Sequence, residues 1–256
     1  MNTIRKALRE RTVTLGSWIQ IGHPVSGEVL ARAGYDWLAV DMEHTDIGYE
    51  GFTNIARGIK PLPVLARVEQ NDTLAIRRVL DAGASGVIVP LVNTREEAMA
   101  AVAAAKYPPK GVRGFAYCRP NNYGVDFDEY VRTANDDIAV VVMIESKEGV
   151  ANIDAILAVD GVDGVFIGPY DMSGSYGVPG ETKHPLVVKA CEDVVAACAR
   201  AKKSAGLHVV VPDEAAIDRA FVQGFTFIAL GVDTYFIASA AKTALTNARE
   251  CASQRS

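Results

Sequence analysis

Asp41, Glu43 and His44 follow directly on the apolar run "YDWLAV". Two acids and an imidazole at the end of such a run are equipment for proton transfer. Asp41, three residues before His44, could form a carboxylate–imidazole pair, which fixes a tautomer and raises basicity. Arg67 sits inside the apolar "VLARVE". A guanidinium in such surroundings must meet an anion, either a protein carboxylate or a ligand. Glu145 ends "VVVMIE" and Asp171 ends "IGPYD". Two carboxylates from adjacent strands, with no thiolate beside them, suit a hard divalent cation that keeps open positions for water or substrate oxygens. A 2-oxo acid fills such positions with its carboxylate and keto oxygens. Arg67 would then stabilise the oxygen that becomes anionic in an enolate. The Asp41–His44 pair would move the proton. These residues are what a metal-dependent aldolase working next to pyruvate needs.

Each residue also has a plainer use. Asp171 could be only a helix N-cap, and Glu145 could serve the helix that follows it. His23 and His208 stand between pocket lining and packing.

The elements that would position these groups follow from periodicity. Strands are predicted at 14–21, 37–41, 63–68, 86–91, 138–145, 164–168, 206–211 and 225–231. Helices are predicted between them, for example over 72–83, 94–107, 184–206 and 212–224, with Thr94 and Glu97 forming a capping box. The strands read as continuous apolar runs, as a parallel sheet covered on both faces requires. Eight strand–helix units in one chain of 256 residues predict a single (β/α)8 TIM-barrel domain over 1–256. A doubly wound open sheet competes, but it usually carries a glycine-rich phosphate turn after its first strand, where this chain has "QIGHPVSGEVL". In a barrel, chemistry collects at the C-terminal ends of the strands. Gln20, Asp41, Glu43, His44, Arg67, Glu145 and Asp171 all fall at or near that rim. The segment 108–130 lacks a strong pattern, and it is assigned here to the same rim. Its Arg119, Asn121 and Asn122 suit a polar aldehyde half.

Composition excludes other classes. The net charge is −5, without the basic patch that nucleic-acid binding needs. No apolar run approaches a membrane span, and the N-terminal stretch lacks the apolar centre of a secretory signal. Cys118, Cys191, Cys198 and Cys251 show no metal-binding spacing, and Cys191 and Cys198 read as small core residues. A reducing cytoplasm is the expected location.

"GSWIQIGHP", "GYDWLAVDMEH", "LARV", "YPPKGVRG", "VMIES" and "GVDGVFIGPYDMSGSYG" resemble the class II pyruvate aldolases of the 4-hydroxy-2-oxoheptanedioate aldolase (HpcH/HpaI) type. That family includes 2-dehydro-3-deoxyglucarate and 2-keto-3-deoxyrhamnonate aldolases. The resemblance covers nearly the whole chain and implies a TIM barrel of the phosphoenolpyruvate/pyruvate type. It implies a divalent metal (Mg2+, Mn2+ or Co2+) on Glu145 and Asp171. Arg67 becomes the pyruvate and enolate contact, and His44 with Asp41 the acid–base pair. Backbone amides near Tyr170 and Asp171 would hold the pyruvate carboxylate. Candidate substrate contacts are Trp18, Tyr170, Asp171, Ser173, His208 and Arg119. The expected partners are a small 2-oxo acid and an aldehyde. The expected assembly is a homo-oligomer, a hexamer built as a trimer of dimers, with the last helix exchanged between neighbours.

Three departures fall where the aldehyde half would sit. Many members have glutamine at the position of Met143, an aliphatic residue at that of His208, and a different loop around "RGFAYCRPNNYG". A Schiff-base aldolase would need a lysine inside a strand, and none of the ten lysines is in a predicted one. A lyase for malyl- or citramalyl-type thioesters, and a non-catalytic barrel that binds 2-oxo acids, remain as alternatives.

Overall fold

The computed structural model describes residues 3–255. Eight parallel strands pair in chain order and close into a barrel. They are β1 Thr14–Ile19, β2 Trp37–Asp41, β3 Val64–Arg67, β4 Gly86–Val89, β5 Ala139–Ile144, β6 Gly164–Ile167, β7 Ser204–Val209 and β8 Phe227–Val232. Pairing of β1 with β8 closes the ring and rules out the open sheet. The helices are α1 Thr3–Glu10, α2 Pro24–Ala31, α3 Tyr49–Gly58, α4 Thr73–Asp81, α5 Arg95–Ala105 and α6 Phe127–Asp137. They continue as α7 Lys147–Ala151, α8 Ile153–Leu157, α9 Pro169–Ser175, α10 Pro185–Ala201, α11 Glu214–Val222 and α12 Asp233–Ser253.

The apolar runs are buried on both faces because alternate residues pack inward and outward. Inward go Ala39, Leu65, Ile88, Val141, Phe166 and Phe227, which fill the barrel. Outward go Val40, Ala66, Val87, Val142 and Val165, which join the helices in the larger core. The capping box forms as expected, with Glu97 N donating to Thr94 Oγ1 at 3.2 Å and Thr94 N to Glu97 Oε2 at 3.1 Å.

One helix is shorter than its periodicity predicts. The helix beginning near 184 stops at Ala201, Lys202 takes a left-handed φ of 54°, and β7 starts at Ser204. Gly206 is therefore not a helix stop. It lies inside the strand, where a Cβ would come within 2.6 Å of the Phe166 ring.

Helix α1 closes the floor of the barrel. Ile4 and Leu8 bury themselves against its interior residues, contributing roughly 1.5–3 kcal/mol each. Arg5 Nε donates to both carboxylate oxygens of Asp163 at 3.0 Å, and Asp163 Oδ2 also accepts the Val140 N–H at 3.0 Å. Breaking one partner of so buried a pair costs about 3–5 kcal/mol.

Candidate active site

The polar residues gather at the C-terminal rim because strand register puts them side by side. In the β2–β3 ladder Asp41 is the partner of Arg67. Asp41 is fully buried. Its Oδ1 accepts Arg67 Nε at 3.0 Å and its Oδ2 accepts Nη2 at 2.7 Å. Gln20 Nε2 adds a bond to Oδ2 at 3.1 Å. The backbone N–H groups of Glu43 and His44 both reach Oδ1 at 3.2 Å. Burial works to raise the Asp41 carboxyl, but the Arg67 guanidinium, Gln20 and the amide bonds outweigh it and hold it below the usual range. Arg67 lies over the Trp18 ring, 4.8 Å from its centroid, with a side chain only 14% exposed.

This geometry corrects the expected Asp41–His44 pair. Asp41 meets the backbone of His44, while the imidazole stands 59% exposed with Nε2 3.5 Å from Glu43 Oε2. A side chain that folds back on its own loop amides has no lone pair left for the ring three residues on. The carboxylate beside His44 is Glu43. Its Oε2 also lies 3.4 Å from Arg67 Nε, yet it is buried and accepts no hydrogen bond. Burial raises the Glu43 carboxyl despite the nearby Arg67 and His44.

Glu145 leaves β5 nearly buried. It does not cap the next helix, since Ser146 does so by accepting the Gly149 N–H. Instead Oε1 accepts the Leu91 N–H at 2.8 Å, presented by a residue held at φ 53°. A non-glycine left-handed residue is costly, and such strain clusters at functional sites. Gly168 makes room on the other side, where a Cβ would sit 2.7 Å from Glu145 Oε2. Burial, with the charges of Glu43 and Asp171 adding to it, pushes the Glu145 carboxyl up to about 7. Asp171 is exposed in the first turn of α9, whose N-cap is Gly168. It is therefore not the cap either.

These donors fit a hard cation. They are oxygen only, and a buried carboxylate raised by like-charged neighbours is relieved by positive charge. Among the described residues no group of three or more His, Cys, Asp and Glu side chains encloses a metal by itself. Two carboxylates with open positions match Mg2+-type binding rather than a closed structural zinc site. The surrounding cavity, of about 590 Å3, is lined among others by Trp18, Asp41, Arg67, Met143, Tyr170, Asp171 and His208.

The HpcH/HpaI aldolase/citrate lyase profile matches residues 14–240. The chain belongs to this family. It is similar to the hydroxypyruvate/pyruvate aldolase of Roseovarius nubinhibens, at 38% identity over 249 residues and 95% of both chains. The 4-hydroxy-2-oxo-heptane-1,7-dioate aldolase of Salmonella typhimurium is 37% identical, over 94% of this chain and 92% of its own. Among solved structures, an HpcH/HpaI aldolase/citrate lyase family protein from Burkholderia cenocepacia superposes with a TM-score of 0.93 at 33% identity. That superposition covers 97% of this chain and all of the other.

Other members of the expected site part from it. Ser173 is buried and spent on its own loop, donating to Tyr170 O at 2.5 Å and accepting the Gly180 N–H at 2.8 Å. It is a loop tie and not a substrate contact. His23 is an exposed helix cap, its Nδ1 accepting the Val25 N–H at 3.3 Å. His208 does line the cavity, with Nε2 3.0 Å from Gly231 O, and burial first of all lowers it to about 4, so the ring is neutral.

Arg119 is at the wrong end for an HpcH/HpaI active site. Its Nη1 donates to Ala82 O and its Nη2 to Ala56 O, both at 3.0 Å. These carbonyls close α4 and α3, and helices that return antiparallel to the strands end at the barrel's N-terminal face. The whole stretch from 106 to 138 links the end of α5 to the start of β5 and stays on that face. Asn121 is likewise structural, its Oδ1 accepting the N–H of Cys118 at 2.9 Å and of Gly124 at 3.0 Å. Arg119→Ala should therefore leave KM and kcat within about twofold while removing about 2–3 kcal/mol of stability. A calorimetric scan should show Tm lower by roughly 4–10 °C, and a KM change without a Tm change would return Arg119 to the substrate.

Proposed function

We propose that the chain is a divalent-metal-dependent aldolase that reversibly cleaves a 4-hydroxy-2-oxo acid to pyruvate and an aldehyde. The observation that carries this reading is Arg67, fixed by a buried carboxylate in the cavity that Asp171 and Gly168 also line, with Glu145 packed against Gly168. A divalent cation on Glu145 and Asp171 would supply Lewis acidity to the 2-oxo group. Trp18 and Asp41 hold Arg67 by its ring contact and its Nε/Nη2 edge, so that the remaining Nη N–H groups are the donors for the keto oxygen as that oxygen gains charge. Cleavage breaks the C3–C4 bond: the 4-hydroxyl gives up its proton as C4 becomes the aldehyde carbonyl, and C3 later gains one. His44, with Glu43 beside it, is the group assigned to those transfers. The N–H groups of Tyr170 and Asp171 would take the pyruvate carboxylate.

A Schiff base has no support here. The lysine with the most depressed amine, Lys106, is lowered to about 7 chiefly by burial. Its Nζ donates to Asn135 O at 2.9 Å and Ile138 O at 2.6 Å, just ahead of β5 and at the far end from the rim.

The reading extends to one barrel unit over 1–256 that works as a homo-oligomer in the cytoplasm, hexameric by resemblance. Exchange of α12 between copies is supported by its exposure, since Asp233 is the one residue it buries and Ile237 and Leu245 are 60% and 52% exposed. All four cysteines are free, as a reducing compartment would keep them. No helix among the described residues is long and apolar enough to cross a membrane. The test is a pyruvate-release screen over 4-hydroxy-2-oxo acids in the presence of Mg2+ or Mn2+. Release from at least one acid is expected, and none from any would remove the aldolase reading.

A further inference from the structure

The cavity does not end above the barrel. It passes over the end of β7 into the layer between sheet and helices, where Val188 and Cys191 of α10, Val209 of β7, and Ala216 and Ala220 of α11 line its buried and half-buried part, while Lys183, Asp213, Arg219 and Gln223 line it from exposed positions. Side chains on β7 alternate, so His208 points in towards Trp18, their rings 6.0 Å apart, while Val209 joins the outer core. Ala216 and Ala220 are four residues apart and share one helix face. Two methyl groups there, where α11 packs on β7, leave a crevice that larger side chains would fill. Cys191 is an uncharged wall at neutral pH, since burial pushes its thiol up to about 11.

A cavity of about 590 Å3 lies in the range that houses ligands several times the size of pyruvate. With Arg119 on the opposite face, the chain beyond C4 has no polar clamp from the 106–138 segment. We infer that this crevice is the subsite for the unbranched apolar chain of the aldehyde half, a specificity that rests on the aldolase reading above. In the condensing direction C3 of pyruvate loses a proton and bonds to the aldehyde carbon, and the aldehyde oxygen gains a proton. The alkyl chain of the aldehyde meanwhile lies between α10 and α11.

The experiment is a series of initial rates for pyruvate with straight-chain aldehydes from acetaldehyde to hexanal, with Mn2+ present. kcat/KM should rise about fourfold per methylene, the scale of burying each CH2. Ala216→Leu and Val188→Phe fill the crevice from opposite walls. In each, the hexanal-to-acetaldehyde ratio of kcat/KM should drop at least about tenfold. A flat wild-type series, or a filled variant that keeps the wild-type ratio, overturns the inference. The wild-type slope decides the matter alone if neither variant folds. Solvent exchange of the pyruvate methyl protons is followed in parallel on the wild type. Exchange with a flat series sinks only the crevice, whereas absence of exchange sinks the aldolase reading beneath it.

Discussion

Arg67→Ala should lower kcat by about two to three orders of magnitude, the scale of losing one preorganised donor to a developing oxyanion. The size of the effect follows from how little freedom the guanidinium has. Asp41 grips it at two points, with contacts of 3.0 and 2.7 Å, and the Trp18 ring lies 4.8 Å beneath it. Such a group needs no reorganisation when charge appears in front of it. Arg67→Lys should recover little, because an ammonium lacks the planar fork and cannot satisfy Asp41 twice. Asp41 would also be left buried and unpaired, so Tm must be measured beside kcat. A folded Arg67→Ala protein within a few fold of wild type would make Arg67 only a structural partner of Asp41.

Complete loss of pyruvate release in excess EDTA, with recovery on Mg2+, Mn2+ or Co2+, is the second large effect expected. Borohydride with pyruvate should leave the protein unmodified. The Glu145 carboxyl provides a readout independent of turnover. Burial and two neighbouring carboxylates raise it to about 7, above its value in the unfolded chain. A raised carboxyl contributes stability that is fully present below the unfolded value and is lost as pH rises through the folded one. The chelated protein should thus lose Tm between about pH 5 and about pH 8 through this group. Adding Mn2+ should raise Tm more at the upper end, where no proton has to be displaced. Full activity in chelator, a trapped lysine adduct, or a Tm gain that shrinks with rising pH would each defeat the metal assignment.

The barrel was legible because its signal is repeated. Each strand is a short apolar run, and β2 at Trp37–Asp41 begins and ends where the run does. Helix limits were less legible where glycine was ambiguous, as at Gly206, which serves packing inside β7 and not a helix stop. The role of α1 was missed because eight residues of mixed charge give no hint that Ile4 and Leu8 will meet the barrel floor. At the site, Asp41, Arg67, Glu145 and Asp171 could be chosen one by one from their strand ends. Their pairing could not, because Asp41 opposite Arg67 is a matter of inter-strand register, which spacing within one strand does not reveal. Glu43 is visible in "DMEH" as a rim acid, but its place beside His44 and Arg67, in the position expected of Asp41, depends on how the loop folds back. Arg119 was misplaced by a step of topology: the segment that holds it follows a helix, so it had to emerge on the face where strands begin.

That topology separates two jobs by the length of the barrel. Arg119 on the ends of α3 and α4, Arg5 on Asp163, and Lys106 under β5 are all gathered at one face, while every group assigned to the reaction is at the other. Conflicts between robustness and turnover arise when the same residues must serve both. Here the anchoring end could be reinforced, or left to drift, with little consequence for what the open end recognises. Innovation in acceptor choice could proceed at the rim of β6 and β7 without unsettling the foundation that keeps the molecule folded.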